Sequence, residues 1–154
     1  MTPDFPTAEA LSAEADSLIM PRFSETEALE LGRILMDLAR GLGVVISVRS
    51  PDRVLFHAAL PGSAPMHDRW VARKTATAFF FHEASLAVGL RNRAKGETLA
   101  KHGLDSTQFA DHGGAVPIRV AGVGVVAVVT VSGLPQIEDH NLAVAGLTAL
   151  IATL

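Results

Sequence analysis

The feature that most restricts the fold is a pair of apolar, β-rich runs, residues 116–120 and 123–131, separated by Ala121-Gly122. Runs this close in sequence pair as an antiparallel hairpin, because a parallel crossover needs a dozen or more connecting residues. A two-residue turn pairs Val120 with Val123 and sets His112 opposite Val131. A three-residue turn pairs Val120 with Gly124 and sets His112 opposite Ser132. In either register His112-Gly113-Gly114 meets Ser132-Gly133 at one end of a sheet, beside the start of a final helix. The hairpin therefore predicts a corner of glycines and polar side chains, where backbone can approach a ligand closely.

The rest of the chain supplies the helices and the remaining strands. Thr7 caps a first helix over residues 8–20 that carries Leu11, Leu18 and Ile19 and stops at Pro21; residues 1–22 are expected to be a peripheral N-terminal helix. Ser24 and Glu27 form a capping box for a second helix, with Leu31, Ile34, Leu35, Leu38 and Leu42 on one face and Gly41 and Gly43 at its end. Residues 44–49 and 54–60 read as strands joined across Ser50-Pro51-Asp52, where proline fits the second turn position. A third helix is expected over 67–81, a further helical stretch over 86–93, and a last helix from Pro135 that buries Val144, Leu147, Ile151 and Leu154. No repeat, low-complexity tract or linker divides the 154 residues, so a single domain is expected. The order of elements implies an α/β fold of the α+β kind, a central antiparallel sheet with helices packed on it.

Composition narrows the function classes. Hydrophobic residues make up 49% of the chain and charged residues 19%, and mean hydropathy is +0.32. A domain this small cannot hide so much apolar surface inside itself, so burial between subunits of a homo-oligomer is expected. No apolar run reaches the ~18–20 residues of a membrane span. The start of the chain lacks the pattern of a signal peptide, and there are no cysteines, which together give the expectation of a cytoplasmic protein. A net charge of −3, no basic run, no tyrosine and the single Trp70 argue against nucleic acid as a partner.

Four segments carry a resemblance: Trp70-Val71-Ala72-Arg73-Lys74; Phe81-His82-Glu83-Ala84-Ser85; His112-Gly113-Gly114-Ala115-Val116-Pro117-Ile118; and Thr130-Val131-Ser132-Gly133-Leu134-Pro135-Gln136 with Glu138-Asp139-His140. Together they resemble the GlcG/HbpS-like family of haem-degrading-domain proteins, in its branch of short cytoplasmic proteins without an assigned activity. The likeness covers nearly the whole chain, least in the first ~20 residues. Two positions depart from it: Glu83-Ala84-Ser85, where the branch more often has paired serines, and Met66-His67, where it more often has Asp-Asn. The resemblance implies a profilin-like fold, ring-like or higher homo-oligomers and, as in some members, haem binding.

Candidate site residues follow from chemistry. His112, Gly113, Gly114, Ser132 and Gly133 form the expected pocket, with free amides at the helix start and Ser132 suited to a carboxylate or phosphate such as a haem propionate. The plainer account is a structural corner in which Ser132 satisfies backbone groups. Trp70, Arg73 and Lys74 share a helix face, where the cations are expected either to meet an anionic ligand or a neighbouring subunit's acids, or to form a solvated basic face with Trp70 anchoring it in the core. Glu138, Asp139 and His140 have metal-ligand chemistry, but adjacent helical residues point ~100° apart, so dipole matching at the helix start is the simpler reading. His82, His112 and His140 are the candidate axial haem ligands; His57 shows no acidic neighbour in sequence. No metal site, hydrolase elbow, phosphate loop or dinucleotide motif is present. The resulting expectation is an oligomeric small-ligand-binding protein for haem or another anionic small molecule. The alternatives are a protein-interaction or structural module, whose corner would be tightly filled, and a small-molecule enzyme using His112 with Ser132 or Asp139.

Overall fold

The computed structural model describes residues 4–154. Its centre is a five-stranded sheet in which β1 (Ile19–Met20), β2 (Val45–Arg49), β3 (Val54–Ala59), β4 (Ala115–Val120) and β5 (Gly124–Ser132) run in the order β1-β4-β5-β2-β3. Every pairing is antiparallel except that of β1 with β4. Among the described residues five α-helices surround it: α1 (Ala8–Ser17), α2 (Glu25–Leu38), α3 (Pro65–Phe81), α4 (Ser85–Lys95) and α5 (Gln136–Ile151). The expected fold class holds.

The period-2 alternation of the central strands explains the layers. Val44, Ile46, Val48, Val116, Ile118, Ala127, Val129 and Val131 turn to one face and pack with Leu31 and Leu35 of α2 and with Ala143, Leu147 and Leu150 of α5. Ala115 and Val128 turn to the other face, against Ala78 of α3. That second face becomes polar toward the end of β5. Thr130 bonds Thr75 of α3 at 2.6 Å between hydroxyls, and two residues on, Ser132 meets Lys74. The buried seam between α3 and the sheet is thus hydrogen-bonded rather than oily, as buried polar groups require.

Several boundaries differ from expectation. The first helix ends at Ser17, and Ile19 and Met20 leave it to extend the sheet beside Arg119 and Val120. Leu38, expected on the buried face of α2, is 47% exposed. The hairpin closes with Val120 opposite Gly124, the three-residue turn, but a bulge between Ile118 and Arg119 moves the register by one, so Ala115 lies opposite Thr130. Pro135 is the N-cap of α5 rather than its first residue. Among the described residues no helix is long and apolar enough to cross a membrane.

Candidate functional site

The predicted corner exists, and a cavity of about 240 Å³ opens beside it. Met66, His67, Trp70 and Lys74 come from successive turns of α3, His112 from the loop before β4, Ser132 from the end of β5, and Leu134, Gln136 and Asp139 from the turn into α5. The backbone can turn here because Gly133 has φ +145, and a Cβ on it would lie 2.5 Å from the Gly43 carbonyl oxygen.

The floor is an ion pair. Lys74 Nζ donates to Asp139 Oδ2 at 3.0 Å, to Ser132 Oγ at 3.3 Å and to the Val131 carbonyl at 3.4 Å. Asp139 in turn accepts from the Leu134 amide at 2.9 Å and the Gly133 amide at 3.3 Å. Lys74 and Asp139 are buried, so burial pulls the lysine below its ordinary value against the opposing pull of Asp139. Burial also pushes Asp139 above the usual carboxylate range, opposed by Lys74 and the two amides.

This corrects the sequence reading in two ways. Lys74 is not part of a solvated basic face. The amides expected to receive an external anion at the helix start already hold an internal one, the Asp139 carboxylate, while the Gly113 amide donates to Gln136 Oε1 at 2.9 Å. Gly113 and Gly114 are buried behind the cavity rather than lining it. Arg73 is also outside the lining; its guanidinium stacks 4.4 Å from the centre of the Trp70 ring and its Nε donates to the Ser106 carbonyl.

His112 stands at the mouth. Its ring meets the edge of Trp70 at 5.3 Å, and its Nδ1 lies 3.7 Å from Asp111 Oδ1. Desolvation lowers its pKa, Asp111 opposes that, and the positive charges of Arg93, Lys74 and Arg73 lower it further.

The other histidines are elsewhere. His140 is buried and bonds Glu14 of α1 at 2.6 Å through Nε2. His82 is exposed at the left-handed end of α3. His57, despite its sequence surroundings, has an acid partner in Asp68 of α3 at 2.7 Å. His112 and His140 do not face one another across a common ligand position, and among the described residues no three His, Cys, Asp or Glu side chains gather as a metal site. Glu138 is exposed in the first turn of α5, where its charge suits the helix dipole.

A larger groove of about 750 Å³ lies between α1 and α4, walled by Leu11, Ala15, Ala87, Leu90 and Ala94. No histidine lines it. The smaller cavity is below the ~300–1,000 Å³ that encloses a drug-sized ligand, and haem is larger than such ligands. An enclosed, histidine-ligated haem therefore fits neither hollow.

The pairing of Lys74 and Asp139 was missed from sequence although a signal exists. Lys74 interrupts the stripe Val71, Thr75, Ala78 that buries α3, and Asp139 continues the stripe Ala143, Gly146, Leu147, Leu150 of α5. A charge on a buried stripe requires a buried partner.

Comparison with known proteins agrees with the fold. A family model described as haem degrading protein HbpS-like matches residues 23–148. A UPF0303 protein of Streptomyces coelicolor is 47% identical over 152 residues, covering 97% of this chain and 96% of its own. A UPF0303 protein of Paraburkholderia xenovorans is 42% identical over 144 residues, covering 92% and 87%. Among solved structures, the Ybr137w protein superposes with a TM-score of 0.88 at 30% identity over 96% of this chain and 89% of its own. A PduOC:heme complex shares the fold, with a TM-score of 0.67 at 18% identity over 82% and 94%.

Proposed function

The chain belongs to the HbpS-like family, and from that premise we propose that it is an oligomeric protein that binds a small carboxylate-bearing molecule in the cavity between Trp70, Lys74, His112 and Ser132. The observation that carries this reading is a lining left rich in donors. His67 Nδ1 accepts from the Ala64 amide, so a neutral His67 keeps its proton on Nε2. Gln136 commits its oxygen to Gly113 and retains its NH₂ group, while Ser132 accepts from Lys74 and retains its O–H. Both carboxylate oxygens of Asp139 are already engaged within the protein. Donors, a buried cation and an indole wall suit an acceptor-rich anion with a small apolar body.

The PduOC:heme neighbour raises haem as the ligand. The size of the cavity and the dispersal of His82, His112 and His140 favour the smaller anion. An enzyme pairing His112 with Ser132 or Asp139 gains no support, because both of those side chains bond Lys74 and the acid beside His112 is Asp111. A pure interaction module would fill the corner, whereas this one is open. Assembly is supported by large apolar side chains left on the surface, among them Leu29, Met36 and Leu38 of α2, Val54 of β3 and Val123 of the hairpin turn. These lie on the outer face of α2, on the edge strand and on the hairpin turn.

The test is a thermal-shift panel of small mono- and dicarboxylates on the purified oligomer. A true ligand raises the unfolding temperature in a concentration-dependent manner, and the rise should shrink in His112→Ala. A panel in which no carboxylate moves the transition contradicts the reading.

A further inference from the structure

We propose that Lys74 is a carbonyl-condensing residue, whose ε-amine forms an imine with a small 2-oxo acid seated in this cavity. The inference deepens the carboxylate-binding reading above and rests on it. The chain has three lysines; Lys95 and Lys101 are exposed, and Lys74 alone is buried. It is buried in the wall of a cavity rather than in the apolar core, with Trp70 and Ser132 also lining that cavity. The backbone is cleared around its amine: a Cβ on Gly114 would come within 2.9 Å of Nζ and 2.3 Å of the Val131 carbonyl oxygen. Asp139, 3.0 Å away, is a fixed proton acceptor held by two amides. Shielding an amine from water favours its neutral, nucleophilic form; the Asp139 carboxylate holds the ammonium electrostatically but is placed to receive its proton. The directions in which burial moves Lys74 and Asp139 both ease transfer of a proton from one to the other.

The step balances without an oxidant or reductant. Lys74 passes a proton to Asp139 Oδ2, and its freed lone pair attacks the carbonyl carbon of the oxo acid. A C–N bond forms as the carbonyl π pair moves to oxygen, which takes the proton back from Asp139. The nitrogen then returns a proton to Asp139, giving a neutral carbinolamine. Asp139 protonates the hydroxyl, water leaves, and the nitrogen lone pair closes the C=N bond. The net change is ammonium plus carbonyl to protonated imine plus water, with Asp139 again ionised beside the new cation. Ser132 Oγ, 3.3 Å from Nζ, holds the amine on line.

The test is borohydride trapping on the wild-type oligomer near neutral pH, with pyruvate as the oxo acid and propionate as the carbonyl-free control, followed by peptide mass mapping. A reduced pyruvate adduct on Lys74, absent from Lys95 and Lys101 and absent with propionate, is the expected result. Lys74→Arg should lose the adduct while keeping its far-ultraviolet circular dichroism, and Asp139→Asn should form it more slowly. If either variant fails to fold, the wild-type map alone decides. No adduct, or one confined to Lys95 and Lys101, overturns the proposal. Trp70 emission separates the two claims: saturable change with both acids but no adduct sinks the imine and leaves carboxylate binding standing, whereas no response to either acid sinks the binding reading itself.

Discussion

Lys74 Nζ stands 3.0 Å from Asp139 Oδ2, joining the middle of α3 to the first turn of α5 across 65 residues of chain, with both side chains nearly removed from solvent. Burying two charges costs several kcal/mol per ion before their attraction offsets it, so each residue is tolerable only with the other. Lys74→Met should therefore destabilise the fold by about 3–5 kcal/mol, the range for breaking a buried pair. Lys74→Met/Asp139→Asn should lose less than the sum of the two single changes, because the second removes the charge left alone by the first. Urea denaturation of the four proteins measures both; additive losses would show that the pair is not coupled.

His112 gives a pH signature. Its folded-state pKa lies below the ordinary imidazole value, so between the two values the unfolded chain binds more protons than the folded one. Stability contributed by neutral His112 is intact above the unfolded value of about 6.5 and is lost as pH falls toward the lower folded value. Histidine resonances followed by NMR should show His112 titrating below a free imidazole, and His112→Gln should flatten the acid side of the stability profile. Binding of an anion at the mouth should move this pKa upward. A titration at or above the ordinary value in the free protein would contradict the electrostatics described here.

Gly114 has φ +141, and its missing Cβ leaves room for the Val131 carbonyl and the Lys74 amine. Gly114→Ala is expected to cost about 1–3 kcal/mol from backbone strain alone, with further loss from displaced Lys74. Thermal unfolding reads this directly, and a neutral outcome would mean that the corner is more plastic than its geometry implies.

His140 Nε2 and Glu14 Oε1, 2.6 Å apart, pin α1 to the start of α5. Glu14→Ala should weaken that tether by about 1.5–3 kcal/mol, the range for a hydrogen bond to a charged group. Amide exchange should then quicken in Ala8–Ser17 while α5 and the central strands keep their protection. Uniform quickening across the sheet would show instead that the pair supports the whole fold.

How much of this was legible from sequence varied with the kind of signal. The capping box of α2 was readable from Ser24 and Glu27 alone, and the Ser24 amide indeed donates to Glu27 Oε1 at 2.8 Å. The hairpin was readable from its two valine-rich runs, but the bulge between Ile118 and Arg119 carried no local mark and shifted the corner by one residue. β1 was hidden because two residues cannot display an alternation, and its extended form depends on the distant edge of β4. The cavity was half legible. His112 and Ser132 follow from counting along the hairpin, whereas the pairing of Lys74 with Asp139 is not legible locally because it depends on how α3 and α5 meet.

The exposed Leu29, Leu38, Val54 and Val123 lead to an expectation about assembly. Light scattering at micromolar protein should give several subunits per particle. A clean, soluble monomer of 16.2 kDa would contradict it.

The most direct test of the central claim uses the one tryptophan of the chain. Trp70 lines the cavity, and there is no tyrosine to obscure it. Its emission is to be followed while a small carboxylate is titrated into wild-type protein and into His112→Ala. The account predicts a saturable change in the wild type and a clearly weaker affinity in the variant, with circular dichroism unaltered. An emission spectrum unmoved by every small carboxylate, or a response identical in the two proteins, would contradict the assignment of this cavity as a carboxylate-binding site that uses His112.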